Sequence, residues 1–287
     1  MRFAGTTLVL QVFVILVSQL LLCQQQACAT ISVCQNARQG QTIEIKCSPL
    51  QSGEQDTVAP KVNFNGKAYP LFPAEGDPEG GVFHGLLAVP ADLNPGIYQL
   101  KVAGEETTLK VEDGKFPVQH IRLPKSKDNF DMSPGEKEAV EGAKACLSEK
   151  RLWQGRFVVP SKFRQSARFG MKRVVNGRLL KDYFHTGLDF AAPLGSPVFA
   201  CAKGKVILAR TGFKLHGNIV AIDHGQGVVS FYIHLQKIKV DEGQLVAEGE
   251  QIGTVGQTGR ATGPHLHFSI YVNETASNPS QWFTTIF

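Results

Sequence analysis

The sequence contains no Cys-x-x-Cys pair and no His-Glu-x-x-His element. The first absence argues against a zinc site built on cysteines. The second removes the usual helical metalloprotease motif. There is no long internal repeat and no low-complexity tract. The longest apolar run, Leu8 to Leu22, has 15 residues, short of the ~20 that a transmembrane helix needs. Charged residues make up only 19 % of the chain and apolar ones 43 %, which is ordinary for globular protein.

The apolar run has another reading. It follows a positive start, Met1-Arg2, and precedes small residues at Ala27-Cys28-Ala29. That is the pattern of a secretory signal over residues 1–29, with a mature chain starting near Thr30. An uncleaved anchor is the competing reading. A lipid on Cys23 or Cys28 is disfavoured by the bulky Leu22 and the polar Gln25-Gln26. Export to the periplasm or the extracellular space is therefore expected. In an oxidising compartment, Cys34, Cys47, Cys146 and Cys201 are an even set. Cys34 and Cys47 are close in sequence and are expected to pair; Cys146 and Cys201 could pair or be buried thiols.

Charge is uneven along the chain. Residues 30–155 carry 14 Lys+Arg against 17 Asp+Glu, a net −3; residues 156–287 carry 15 against 8, a net +7. The basic C-terminal half favours an anionic partner. Nucleic acid, a membrane surface and a cell-wall polymer are the candidates, and with a signal at the start nucleic acid is the weakest of the three.

The pattern divides the chain further. Over residues 30–118, "QTIEIKC" and "GIYQLKVAG" alternate apolar and polar residues, and Asn65-Gly66 is a hairpin signal. Short strands between turns over about 90 residues suggest a β-sandwich. Residues 119–155 read as a connection holding one helix, Pro134 to Lys150. Ser133 would be its N-cap, with Glu136 three residues on. The helix is expected to pack between the domains. From residue 156 to 287 glycine and short strands dominate. "GNIVAIDHGQGVVSFYIHL" reads as a hairpin turning at His224 to Gly227. The spacing of Val240, Gly243, Val246, Gly249 and Ile252 by three predicts tight turns in which glycine supplies positive φ. Biotinyl and lipoyl carriers share that spacing, but no lysine stands where they carry one.

Histidines carry the chemistry. In "TGPHLHFSIYV" the period-two alternation of a strand puts His265 and His267 on one face and Leu266, Phe268 and Ile270 on the other. In "YFHTGLDFAAPLGSPV", His185 and Asp189 are four apart in loop and strand, and a bend at Thr186-Gly187 could make them converge. His185, Asp189 and one histidine of the pair would make a two-histidine, one-carboxylate site with an open position for water. His234 and the other histidine would remain for acid–base work. His84, His216 and His224 read as ordinary structural histidines.

"HTGLD", "GNIVAIDHGQG", "YIHL" and "VAEGEQIGTVGQTGRATGPHLHF" resemble the LytM and lysostaphin family of zinc endopeptidases, over about Phe157 to Phe283. The resemblance implies one Zn²⁺ held by His185, Asp189 and His267. It assigns catalytic roles to His234 and His265, and peptides of peptidoglycan as substrate. No motif position is replaced. The implied fold is mostly β: an immunoglobulin-like β-sandwich over 30–118, a connecting helix, and an antiparallel β peptidase domain of barrel-sandwich hybrid type. A monomer is expected. Two other readings compete: a non-catalytic wall-binding activator of other hydrolases, and a non-haem iron oxygenase, since two histidines and one carboxylate also hold Fe(II). The intact residue set weighs against the first, and the extra histidine pair and export signal against the second.

Overall fold

A computed structural model describes residues 31–48, 60–74, 81–102, 105–124, 129–181 and 183–287. The expected signal segment and its cleavage site lie outside the described residues. None of the described helices is long and apolar enough to cross a membrane.

The fold is mostly β. In the N-terminal part, a four-stranded and a five-stranded sheet enclose one core that includes Ile45, Val62, Phe64, Leu87, Leu100 and Leu109. The alternating strands supply it, every second residue pointing inward. The hairpin joining Lys61–Phe64 to Lys67–Pro70 turns on Asn65 and Gly66, at φ 47° and 77°, as a type I′ turn requires.

The C-terminal part is built on one ten-stranded sheet. Its centre is antiparallel. Leu188–Ala191 pairs with His265–Val272, which pairs with Val228–Ile238, which pairs with Gly217–Gly225. Both faces of these central strands are buried. Val220, Ile222, Leu266, Phe268 and Ile270 fill one core; Ile219, Ala221, Val229 and Phe231 fill another on the opposite face. The glycine turns fall as expected, with Gly243 at φ 89° and Gly249 at φ 75°.

Four expectations are corrected. First, Cys34, Cys47, Cys146 and Cys201 are all free thiols. Register explains the missing Cys34–Cys47 bridge. Ile31 pairs with Cys47 and Val33 with Ile45, so Cys34 lies three residues along from Cys47's partner. That is about 10 Å of strand, beyond the ~7 Å a disulfide can span. Second, the helix is shorter, Glu136–Lys144, with Gly135 at its N-cap in the left-handed region. Glu136 does reach back to Ser133, accepting from its backbone N–H and its hydroxyl at 2.8 and 2.7 Å. Third, this helix lies on the C-terminal sheet, Val140 and Ala143 joining Leu208, Ile219 and Phe231, and not between the two halves. The N-terminal sandwich meets the other side directly: Leu86 and Ala88 enter the larger C-terminal core, and Thr42 and Gln281 exchange two hydrogen bonds of 2.8 Å. Fourth, the stretch read as a connection carries a strand, Val118–Ile121, parallel to Lys172–Val175.

His224 is also not in a turn. It is the last residue but one of the Gly217–Gly225 strand and is fully buried. Its Nδ1 faces the Lys203 carbonyl at 2.9 Å and its Nε2 the Ser230 hydroxyl at 2.8 Å. Burial depresses its pKa to about 4. The ring stays neutral in the folded chain while the unfolded chain protonates it below about pH 6.5. Folding stability should therefore fall as pH drops from about 6.5 to 4, by roughly 3 kcal/mol from this group. Denaturant titrations at both ends of that window should show a smaller difference for His224→Gln than for the parent chain. Equal differences would refute the assignment.

Candidate metal centre

Two neighbouring strands build the site. Asp189 stands directly opposite His267, and Ala191 opposite His265. Alternation puts both histidines on one face, while Leu266, Phe268 and Ile270 are fully buried on the other. His185 lies just before the Leu188–Ala191 strand, across the bend at Gly187. That bend needs glycine: a Cβ at position 187 would sit 2.2 Å from the Phe268 carbonyl oxygen and 2.7 Å from Ser269 Oγ.

Three atoms converge. His185 Nε2, Asp189 Oδ1 and His267 Nδ1 are separated by 3.0, 2.8 and 3.0 Å. The three residues form a metal-capable cluster among the described residues. A backbone partner sets the tautomer of His185. His185 Nδ1 is 2.8 Å from the Arg168 carbonyl oxygen. A carbonyl only accepts, so Nδ1 carries the hydrogen and neutral Nε2 presents a lone pair. With the ring neutral, that lone pair faces a carboxylate oxygen, acceptor against acceptor; a metal ion between them, or a proton on Nε2, turns the contact attractive. Burial raises the Asp189 pKa, but the charges and hydrogen bonds of His185 and His267 outweigh it and hold the carboxyl well below its usual range. Burial lowers the His267 pKa to about 4 against the pull of Asp189. Two neutral imidazoles and one carboxylate are the donor set of a Zn²⁺ site. A tetrahedral ion at ~2.0–2.1 Å would space its donors by roughly 3.3 Å, so the cluster need open by only a few tenths of an ångström. The residues fit the metal.

Two more histidines flank the cluster. His234 and His265 have ring centroids 4.8 Å apart. His234 Nδ1 donates to the Thr258 carbonyl at 2.9 Å, and His265 Nδ1 to the Gly263 carbonyl at 2.8 Å. With its ring neutral, each therefore also presents a free lone pair at Nε2. His265 Nε2 is 3.9 Å from Asp189 Oδ1, outside the tight triangle. Burial first, then the neighbouring His265 and His267, push the His234 pKa well below its ordinary value. His234 sits in the interior of the Val228–Ile238 strand rather than at its end. Tyr232 pairs with Val220 and Leu235 with Asn218: three steps on one strand match two on the other. This is a β-bulge, with His234 at φ 64°, and bulges re-aim side chains beside sites.

All five predicted residues line one cleft of about 400 Å³. Several of its features escape a reading of motifs. Arg173 donates to the outer oxygen of Asp189, Oδ2, at 3.3 Å and lies over Tyr183, 5.4 Å from the ring centroid. His216, Phe130 and Arg260 also line the cleft, Arg260 stacked on Phe130 at 4.1 Å. Nothing in the sequence marks the Arg168, Thr258 and Gly263 carbonyls that set the tautomers. An arginine in "MKRVVNG" carries no spacing signal either.

Residues 183–279 match the family model of Peptidase family M23. Among similar proteins, the peptidoglycan DD-endopeptidase ShyA of Vibrio cholerae is 43 % identical over 127 residues, spanning 44 % of this chain and 28 % of that protein. The DD-carboxypeptidase/endopeptidase Mpg of Neisseria meningitidis is 48 % identical over 96 residues, 33 % of this chain and 22 % of that protein. The chain thus spans less than a third of the length of these relatives. A crystal structure from Pseudomonas aeruginosa, assigned to peptidase M23, is similar along most of its length. It covers 85 % of this chain and 93 % of that one, at 28 % identity and a TM-score of 0.62.

Proposed function

We propose, for a chain whose residues 183–279 form a peptidase family M23 domain, that it is an exported zinc-dependent endopeptidase hydrolysing peptide cross-links or bridges of peptidoglycan. The observation that carries this reading is the convergence of His185 Nε2, Asp189 Oδ1 and His267 Nδ1 at 2.8–3.0 Å, three metal-ligating atoms within reach of one ion. Such a cluster suits a cation. The similarity to ShyA and Mpg supports the substrate class, and the net charge of +7 over residues 156–287 suits an anionic polymer.

His185, Asp189 and His267 would hold the metal, which when bound supplies Lewis-acid polarisation of a carbonyl and lowers the pKa of water toward about 7. Arg173 holds the outer oxygen of Asp189 and so keeps the inner one aimed at the cluster. His234 and His265 do the proton work. Their Nδ1 atoms face backbone carbonyls, so in a neutral ring Nε2 can take the proton of the attacking water and, once charged, stabilise the developing oxyanion. Among the described residues that line the cleft, no glutamate is available as base.

Zinc content of the purified chain, together with digestion of purified peptidoglycan and identification of fragments by mass, tests this proposal. One zinc per chain and release of cleaved cross-link peptides are expected. A zinc-loaded chain that binds peptidoglycan without releasing fragments would favour the non-catalytic activator. Iron in protein purified without added metal would favour the oxygenase.

A further inference from the structure

Glu136 is fully buried, an unusual place for a carboxylate. It lies outside the matched segment, at the start of the Glu136–Lys144 helix. Its oxygens take six hydrogen bonds. Ser133 N–H and Oγ–H and the Lys214 N–H donate to Oε2 at 2.8, 2.7 and 2.9 Å. The Leu215 N–H, the His216 N–H and His216 Nδ1 donate to Oε1 at 3.0, 2.9 and 2.8 Å. Burial alone would raise its pKa; the bonds from His216 and Ser133 bring it down to about 2.

The target of these bonds is a turn, residues 214–216, which joins the Gly204–Phe213 and Gly217–Gly225 strands. Three successive backbone N–H groups of this turn point at one carboxylate. The carbonyls of the same turn point elsewhere. The His216 carbonyl accepts the His234 N–H at 3.0 Å, and the Leu215 carbonyl accepts the Arg260 N–H at 3.0 Å. His234 is the bulged residue at φ 64°, a conformation a non-glycine residue keeps only when its surroundings hold it.

We infer that Glu136 is a positioning residue for His234: its carboxylate fixes the 214–216 turn, whose His216 carbonyl holds the His234 backbone in the bulge that aims the imidazole into the cleft. This rests on the proposed proton-handling role of His234. The tie runs through two hydrogen-bonded steps, and neither touches His185, Asp189 or His267. Loss of Glu136 should therefore leave metal binding intact and reduce turnover. A purely architectural role would lower stability with no specific link to His234.

The test uses the full chain. Glu136→Gln keeps the side chain's shape but turns an amide N–H₂ toward N–H donors. Zinc content should match the parent. With soluble cross-linked peptides released from purified peptidoglycan, kcat should fall about 10- to 100-fold, the scale for sub-ångström to ångström misplacement, with KM little changed. In a His234→Ala background the further loss from Glu136→Gln should largely vanish, because both act through one group. A parent-like kcat for Glu136→Gln overturns the inference. So does a kcat loss that persists undiminished in the His234→Ala background. If Glu136→Gln does not fold, His216→Ala, which removes one of the six donors, is put through the same cycle with a smaller loss expected and the same criterion. If His234→Ala itself retains parent activity, the catalytic reading of His234 fails. The tie is then judged alone from the His234 ring-nitrogen resonances in Glu136→Gln: a shift supports it and an unchanged signal refutes it.

Discussion

Replacing His267 with alanine is expected to strip the chain of zinc and of activity together. Its Nδ1 lies 2.8 Å from Asp189 Oδ1 and 3.0 Å from His185 Nε2, so removing it leaves two donors where a zinc site needs at least three protein ligands. His265→Ala should behave differently. Its Nε2 is 3.9 Å from Asp189 Oδ1 and its ring faces His234. That variant should keep near-full zinc and lose about 10²–10⁴-fold in rate, the range for acid–base help. His234→Ala should match it. Metal analysis of the three folded variants decides between roles. If His265→Ala arrives empty while His267→Ala keeps its zinc, the two are exchanged.

The second large effect is expected at Gly187. The Cβ of Gly187→Ala would meet the Phe268 carbonyl oxygen at 2.2 Å and its carbon at 2.8 Å. Both are backbone atoms of the partner strand and cannot swing aside. Relief would require the Leu188–Ala191 strand to move off His265–Val272 at the place where Asp189 opposes His267. Overpacking of this kind costs on the order of 1–3 kcal/mol or more. Zinc affinity should drop by about 10- to 100-fold, as when support for a ligand is lost. Gly142→Ala is the contrasting substitution. It lies in the Glu136–Lys144 helix with nothing within 4 Å of its added Cβ, and should stabilise by about 0.5–1 kcal/mol. Zinc titration and chemical denaturation of both variants test the pair. A Gly187→Ala chain that binds zinc like the parent would remove the steric argument.

Much of the site was legible because its logic is local. Period two alone puts His265 and His267 on one face, and the His-x-x-x-Asp spacing with a glycine between allows convergence. What could not be read depends on register and on distant backbone. The bulge at His234 is visible only in the mismatch between Tyr232–Leu235 and Asn218–Val220. The missing Cys34–Cys47 bridge follows from a strand pairing that no spacing rule reveals. The capping pattern marks Glu136, and Ser133 does pair with it. Its other partners are more than seventy residues away, and a local motif cannot name them. The helix starts two residues later than the capping pattern predicts, at Glu136 behind Gly135 at φ 76°, and ends six residues earlier than expected, at Lys144.

The strand Val118–Ile121 and the helix Glu136–Lys144 both belong structurally to the C-terminal half, the first paired to Lys172–Val175 and the second packed on the sheet. For protein engineering, the recognisable segment 183–279 is therefore not a transplantable module. A chimera grafted at residue 183 would discard Arg173, which steadies Asp189, and Glu136, which holds the 214–216 turn, and would leave Ile219, Ala221 and Phe231 without their helical cover. A cut ahead of Val118 would keep all of them.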